Sequence, residues 1–307
     1  MGLTEIRTYT KNRNRGVRHM TKNTSGENQE EVACCGTSGN YMCWFNTTDF
    51  SGLALACLVY MLILYSLAVT IMLVVDAAEN TPEYNKWNGS IVIVLIIMAL
   101  WSHAATMCGD PGAVPHGAKP LSKNIEDTAV QCGMCDNYKP PGSHHDRVSG
   151  RCISRMDHFC PWTNNAIGAK NQKNFFLFLI YTNIASFYLY IILALNMVDC
   201  NSLSCNKTDP EAYSLPILQV ESVVLLFSVI FTTSMIVTQI YSLVTGLGTI
   251  DRLQMKSGSP DSAEPIPFEH VFGDVMWRWF IPVDPYFKDE ETVLQYRVPG
   301  VSSYAKF

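Results

Sequence analysis

Four of the chain's 11 cysteines fall between Cys132 and Asn171, in the run CGMCDNYKPPGSHHDRVSGRCISRMDHFCPWTNNAIGAKN. Cys132 and Cys135 form a C-x2-C pair, which lets one knuckle of backbone present two thiolates to one ion. His145 and Cys152 complete a three-sulfur, one-nitrogen set suited to tetrahedral Zn²⁺. The other reading of the same residues is reduced thiols without a metal. His144 stands beside His145, and two adjacent imidazoles rarely face one ion, so one of them is expected to bond elsewhere; the residues alone do not say which. Further on comes Asp157-His158-Phe159-Cys160. In extended backbone, positions i and i+2 share a face, so His158 can draw the Cys160 thiol proton while Asp157 holds the imidazole tautomer. Those are the three roles of a base-activated nucleophile. The same three residues read equally well as further metal ligands.

Whatever this stretch does, it does beside a membrane. The 307 residues are 48% hydrophobic and only 16% charged, and four segments carry no Asp, Glu, Lys or Arg: Ser51–Val75, Ile91–Met107, Phe175–Val198 and Ser222–Leu247. Each is long enough to cross roughly 30 Å of hydrocarbon as a helix. The expected fold is an all-α polytopic membrane protein: four transmembrane helices with a small zinc-binding, cysteine-rich domain in the loop between helices 2 and 3. Lys and Arg number six before the first span, eight in the 108–174 loop and six in the tail, against one in each of the other two loops. The positive-inside rule therefore puts both termini and the cysteine-rich stretch in the cytosol, where a stable disulfide is disfavoured.

The expected organisation is a polar, largely disordered cytosolic segment 1–50, spans 51–107, the 108–174 domain, spans 175–247 and a tail 248–307. No cleavable signal peptide is expected, because the first apolar run is of full spanning length. Met1-Gly2 is not a myristoylation site, because Ile6 stands where Ser or Thr is wanted. Cys34, Cys35 and Cys43 read either as S-acylation sites or as plain surface thiols. Cys200 and Cys205 are candidates for a small lumenal disulfide, and Asn206 is a better glycosylation candidate than Asn88, which lies too near the second span. His103 is expected to pack within the helix bundle, Glu221 to lie at the membrane interface, and the tail aromatics Phe268, Phe272, Trp277, Trp279 and Phe280 to pack on the zinc domain or the interface. A net charge of −5 gives no support for nucleic-acid binding.

These motifs resemble the DHHC protein S-acyltransferases, enzymes that move a fatty acyl chain from acyl-CoA to protein cysteines. Asp110-Pro111-Gly112 matches the family's DPG motif, and Gly248-Thr249-Ile250-Asp251 sits where TTxE belongs. TQIYSL and Val271-Phe272-Gly273 are similar to the Golgi-type branch. The resemblance implies Cys132, Cys135, His145 and Cys152 as ligands of one structural zinc, and Asp157, His158 and Cys160 as catalytic residues. It implies a Golgi or other secretory membrane, acyl-CoA as substrate, and client proteins with membrane-proximal cysteines as partners. The second zinc site of the family falls at Asp146, Ser149, Phe159 and Ala166, so all four of its ligands are replaced. Lys139, Arg151, Arg155, Lys170 and Lys173 are candidates for the acyl-CoA phosphates, although solvated lysines and arginines are the plainer reading. Ala185 and Ser186 are expected to leave room for the acyl chain. Asn171 and Trp162 are expected to fix the loop and to pack. Loss of a metal site also suggests another class of function, an inactive membrane scaffold that binds clients or active acyltransferases.

Overall fold

The computed structural model describes residues 33–36, 41–44, 46–47, 49–71, 82–202, 215–254 and 264–299. Four long helices dominate: α1 Phe50–Thr70, α2 Pro82–Cys108, α3 Gln172–Ser202 and α4 Leu215–Thr245. Their apolar portions run 21, 22, 24 and 29 residues, enough at about 1.5 Å per residue to cross hydrocarbon. A helix is favoured there because every backbone polar group is satisfied within the segment. Asp49 caps α1, accepting from the Ser51 N–H at 3.1 Å. Pro82 opens α2 and Pro216 lies in the first turn of α4, positions where the missing N–H costs no helical bond. Gly246, with φ 67°, turns the chain out of α4.

The helices extend beyond the charge-free segments. α4 starts at Leu215, before the predicted Ser222, so Glu221 lies within the helix, buried and hydrogen-bonded to Ser66 of α1. Residues 72–75 of the first expected span lie outside the described residues, as do Cys205 and Asn206. α3 packs along both α2 and α4, with α1 chiefly against α2. Val92, Ile96, Leu189, Leu193 and Leu225 form an interhelical core. Polar groups bond across it: Asn183 to Thr232 and Thr233, Ser186 to Ser228, and Tyr188 to Asn88. Such bonds contribute on average only about 0.6 kcal/mol but fix the helix register. His103 packs as expected, between the rings of Tyr60 and Phe178, with Nε2 3.0 Å from the Trp162 carbonyl.

Between α2 and α3 the chain is not helical apart from a 3-10 turn at Lys123–Thr128. Two antiparallel pairs form, β3 His144–Asp146 with β4 Arg151–Ile153, and β5 His158–Cys160 with β6 Asn165–Ile167. A further parallel pair, β1 Ala33–Gly36 with β2 Tyr41–Trp44, lies among the described residues of the first fifty. Trp44 and Asn46 are buried, and Asn46 bonds Asn164 of the loop after Cys160.

The tail continues as α5 Thr249–Gln254, α6 Glu269–Phe272, a 3-10 turn Met276–Phe280 and α7 Glu290–Leu294. It goes to two places. Val271 and Phe272 pack with Leu243 of α4 and Phe176 of α3, joined by Trp279. Leu294 and Tyr296 pack on Cys132, Tyr138 and Cys152. Gly273 makes the turn between them possible: φ is 84°, and a Cβ would sit 2.7 Å from the Tyr286 carbonyl oxygen. Phe268, Trp277 and Phe280 stay largely exposed.

Candidate active site

Strand register builds the metal cluster. In the β3–β4 pair His145 lies directly opposite Cys152, and a tight turn, with the Asp136 N–H donating to the Cys132 carbonyl at 2.9 Å, brings Cys132 and Cys135 to the same point. All four ligand atoms lie within 4.8 Å of one another. A tetrahedron with Zn–S bonds of about 2.3 Å requires S···S and S···N edges of about 3.8 and 3.6 Å. Cys135 Sγ and Cys152 Sγ are 3.8 Å apart, and Cys132 Sγ and His145 Nδ1 are 3.6 Å apart. Burial lowers the His145 pKa, keeping the imidazole neutral as a ligand must be. Burial and then the two neighbouring sulfurs push the Cys152 thiol up; a divalent cation is what lets so crowded a set ionise together. The donor set fits zinc. His144 is the imidazole that bonds elsewhere, with Nε2 2.7 Å from Asp251 Oδ1 of α5.

Of the four positions that the resemblance assigns to a second metal site, Asp146 accepts from the Val148 and Ser149 N–H groups of the hairpin turn at 3.2 and 2.8 Å, and the Ser149 hydroxyl is buried. Phe159 and Ala166 face each other across β5–β6. They sit in an apolar cluster with Trp44, Ala113, Ile153, Met156 and Ile250. Burying one phenylalanine stabilises by about 1.5–3 kcal/mol, less than the roughly 10 kcal/mol a structural zinc can contribute. Polar anchors supply more: Asn171 accepts from the Gly168 N–H and donates to the Ala166 carbonyl at 2.9 and 2.8 Å, while Asn165 donates to the Thr106 and Gly109 carbonyls at the end of α2.

The three residues of the candidate nucleophile lie together on β5 and the residue before it. His158 Nδ1 is 2.7 Å from Asp157 Oδ2, and the ring meets Phe175 edge-on at 5.4 Å between centroids. Asp157 is buried and accepts from Gln239 Nε2 at 2.8 Å, Ser242 Oγ at 3.1 Å and the Thr249 N–H at 2.8 Å. Burial opposes its ionisation, yet His158 and these donors hold its pKa well below the ordinary carboxylate range. For His158, burial disfavours the charge, but Asp157 and Cys160 raise the pKa to about 9. Burial likewise raises the Cys160 thiol, and His158 more than offsets it, leaving the pKa below its ordinary value. His158 Nε2, on the ring edge away from Asp157, is buried with no conventional hydrogen bond. The arrangement can serve a base-activated nucleophilic cysteine, with Asp157 orienting the imidazole that would take the Cys160 thiol proton.

Gln239 and Ser242 escaped the sequence reading although a signal existed: two polar residues at i, i+3 share one face of an otherwise apolar helix. The five candidate cations divide. Lys170 pairs with Glu290 at 2.7 Å and Asp110 at 3.7 Å, and Lys173 is buried, donating to the Val283 carbonyl. Arg151 donates to the Val114 carbonyl and lies over the Trp44 ring, Arg155 donates to Gln172, and Lys139 is partly exposed. Ala185 and Ser186 are buried, with the Ser186 hydroxyl bonded to α4. A small apolar void lies further along α3, against Leu189, Leu193 and Leu225 and beside Glu221.

Comparison with known proteins converges on the same region. The family described as DHHC palmitoyltransferase matches residues 125–256. Palmitoyltransferase ZDHHC3 of Homo sapiens is 32% identical over 221 residues, 69% of this chain and 73% of that protein. Palmitoyltransferase ZDHHC7 of Rattus norvegicus is 30% identical over 275 residues, 84% of this chain and 87% of that one. Probable protein S-acyltransferase 13 of Arabidopsis thaliana is 30% identical over 224 residues, 65% and 72% of the two chains.

Proposed function

Because the chain belongs to the DHHC palmitoyltransferase family, we propose that it transfers a long-chain fatty acyl group, such as palmitoyl, from acyl-CoA to client cysteines through an acyl-Cys160 intermediate. The observation that carries this reading is the ordered set of Asp157, His158 and Cys160, with the carboxylate held by α4 and Thr249. In the first step the Cys160 thiolate attacks the thioester carbonyl, the acyl–sulfur bond to CoA breaks, and the CoA sulfur leaves with a proton from His158. In the second step His158 accepts the proton of a client thiol, which attacks the acyl-enzyme and regenerates Cys160. Asp157 keeps the imidazole oriented in both. The chain's tail would lie among the four helices, near Ala185 and Ser186, since leaving it in water costs about 0.8 kcal/mol per CH₂.

Cys132, Cys135, His145 and Cys152 would hold one zinc ion, whose contribution is structural. Lys139, Arg151, Arg155, Lys170 and Lys173 are the candidate cations for the CoA phosphates, and partners are the bilayer and proteins with membrane-proximal cysteines. The Lys and Arg distribution supports cytosolic termini, and the similarity to Golgi-type members supports an endomembrane of the secretory pathway. The packed replacement of the second metal site motivates a competing reading as an inactive scaffold. Incorporation of a clickable fatty acid separates the two, with Cys34, Cys35 and Cys43 replaced so that acylation by another enzyme cannot mimic activity. The proposal expects label that disappears in Cys160→Ser; equal label in both chains would favour the scaffold.

A further inference from the structure

The hydrogen bonds around Asp157 continue into the protein along a single line. Arg155 Nη2 donates to Gln172 Oε1 at 3.3 Å, Gln172 Nε2 donates to Gln239 Oε1 at 3.3 Å, and Gln239 Nε2 donates to Asp157 Oδ2 at 2.8 Å. That same carboxylate oxygen lies 2.7 Å from His158 Nδ1. Gln172 and Gln239 are 4% and 0% exposed, so water does not replace a lost partner at either. The polarity of the line is forced. An ionised Asp157 only accepts, so Gln239 must turn its nitrogen toward it and its oxygen toward Gln172; Gln172 must then turn its own oxygen to the guanidinium, which only donates. Both amides thus have one satisfied orientation between a cation and an anion. Arg155 sits at φ 46°, a conformation uncommon outside glycine, on the turn just before Asp157, while Gln172 opens α3 and Gln239 belongs to α4.

We propose that Arg155, Gln172 and Gln239 are positioning residues: a directional hydrogen-bond relay that ties the turn, α3 and α4 together and holds the Asp157 carboxylate in register with His158. This deepens the acyltransferase reading and rests on it. It also gives Arg155 a task distinct from binding the CoA phosphates. The two roles separate experimentally, because a long-chain acyl thioester of N-acetylcysteamine has the same reacting bond and no phosphates.

The test measures acyl-enzyme formation by the full chain in detergent, with palmitoyl-CoA and with the palmitoyl N-acetylcysteamine thioester. Variants are Arg155→Met, Gln239→Leu, the double variant, and Gln172→Glu, which keeps the size of the side chain but has no donor for Gln239. The relay predicts that each single variant slows acylation at least tenfold with both thioesters, that the double variant is no slower than the worse single one, and that Arg155→Lys restores part of the rate. A loss by Arg155→Met confined to palmitoyl-CoA, or losses that multiply in the double variant, would overturn it. Zinc content monitors folding, since the metal cluster depends on Cys132, Cys135, His145 and Cys152 and on none of the substituted residues. A second readout is independent of acyl transfer: the pH midpoint for iodoacetamide alkylation of Cys160 moves upward in Gln239→Leu and Arg155→Met as Asp157 loosens. An unchanged midpoint would refute the relay, whereas a wild-type chain that forms no acyl-enzyme but shows the shift would refute the acyltransferase reading alone.

Discussion

Replacing Phe159 with alanine tests whether packing has taken the place of a metal ion. Full truncation of a buried phenylalanine costs about 3–5 kcal/mol; Phe159 is only partly buried against Ala166, Met156, Ile153 and Ile250, so about 2 kcal/mol is expected. Because about 1.4 kcal/mol is tenfold, the local opening equilibrium of β5–β6 should rise roughly 30-fold. Backbone hydrogen exchange reads this directly. Amides of residues 157–167, including the Asp157 N–H bonded to the Ile167 carbonyl, should exchange faster by about that factor. The Asp136 N–H, bonded to the Cys132 carbonyl in the turn between the first two ligands, lies outside that cluster and should not. Acylation should slow with the loop, while zinc stays at one per chain. Unchanged exchange over 157–167, or equal acceleration at Asp136, would refute the view that the cluster substitutes locally for the second ion.

Three further outcomes follow from the same geometry. With the His158 pKa raised from 6.5 to about 9, the stability its protonated form contributes is complete below about pH 6.5 and lost as pH rises through about 9; His158→Ala should abolish that slope in unfolding measurements and raise the pH midpoint for Cys160 alkylation. Chelation of zinc, or Cys152→Ser, should release the tail as well as the hairpin, because Leu294 and Tyr296 pack on Cys132 and Cys152; protease cleavage within 290–298 should accelerate, and unchanged cleavage would contradict that coupling. Ala185→Phe should shift acyl preference toward shorter chains, and an unaltered chain-length profile would remove Ala185 from the acyl cavity.

Local chemistry was readable from spacing: the C-x2-C pair with His145 and Cys152, and the i, i+2 relation of His158 to Cys160. So were the four spans, because a charge-free run of that length has few alternatives. What spacing could not supply was contact across long separations. That His144 turns to Asp251 rather than to the metal depends on where α5 starts, 107 positions away. The support of Asp157 by Gln239 and Ser242 depends on the rotation of α4, and Trp44 reaches the site from a segment whose composition reads as irregular. The start of α4 falls earlier than expected for another reason: Glu221 limits the charge-free segment, whereas the helix runs through it and Ser66 of α1 bonds its carboxylate. The partners of the cations are likewise set from far along the chain: Lys170 meets Glu290 and Lys173 the Val283 carbonyl.

The central claim is an acyl-Cys160 enzyme built on one zinc. The most direct measurement is mass spectrometry of the purified chain, with Cys34, Cys35 and Cys43 replaced, after addition of palmitoyl-CoA, with zinc per chain determined on the same preparation. One zinc and a hydroxylamine-sensitive palmitoyl adduct, mapped to Cys160 and missing from Cys160→Ser, are expected. One zinc with no adduct would contradict the enzyme, and two zinc ions would contradict the replacement of the second site by Asp146, Ser149, Phe159 and Ala166.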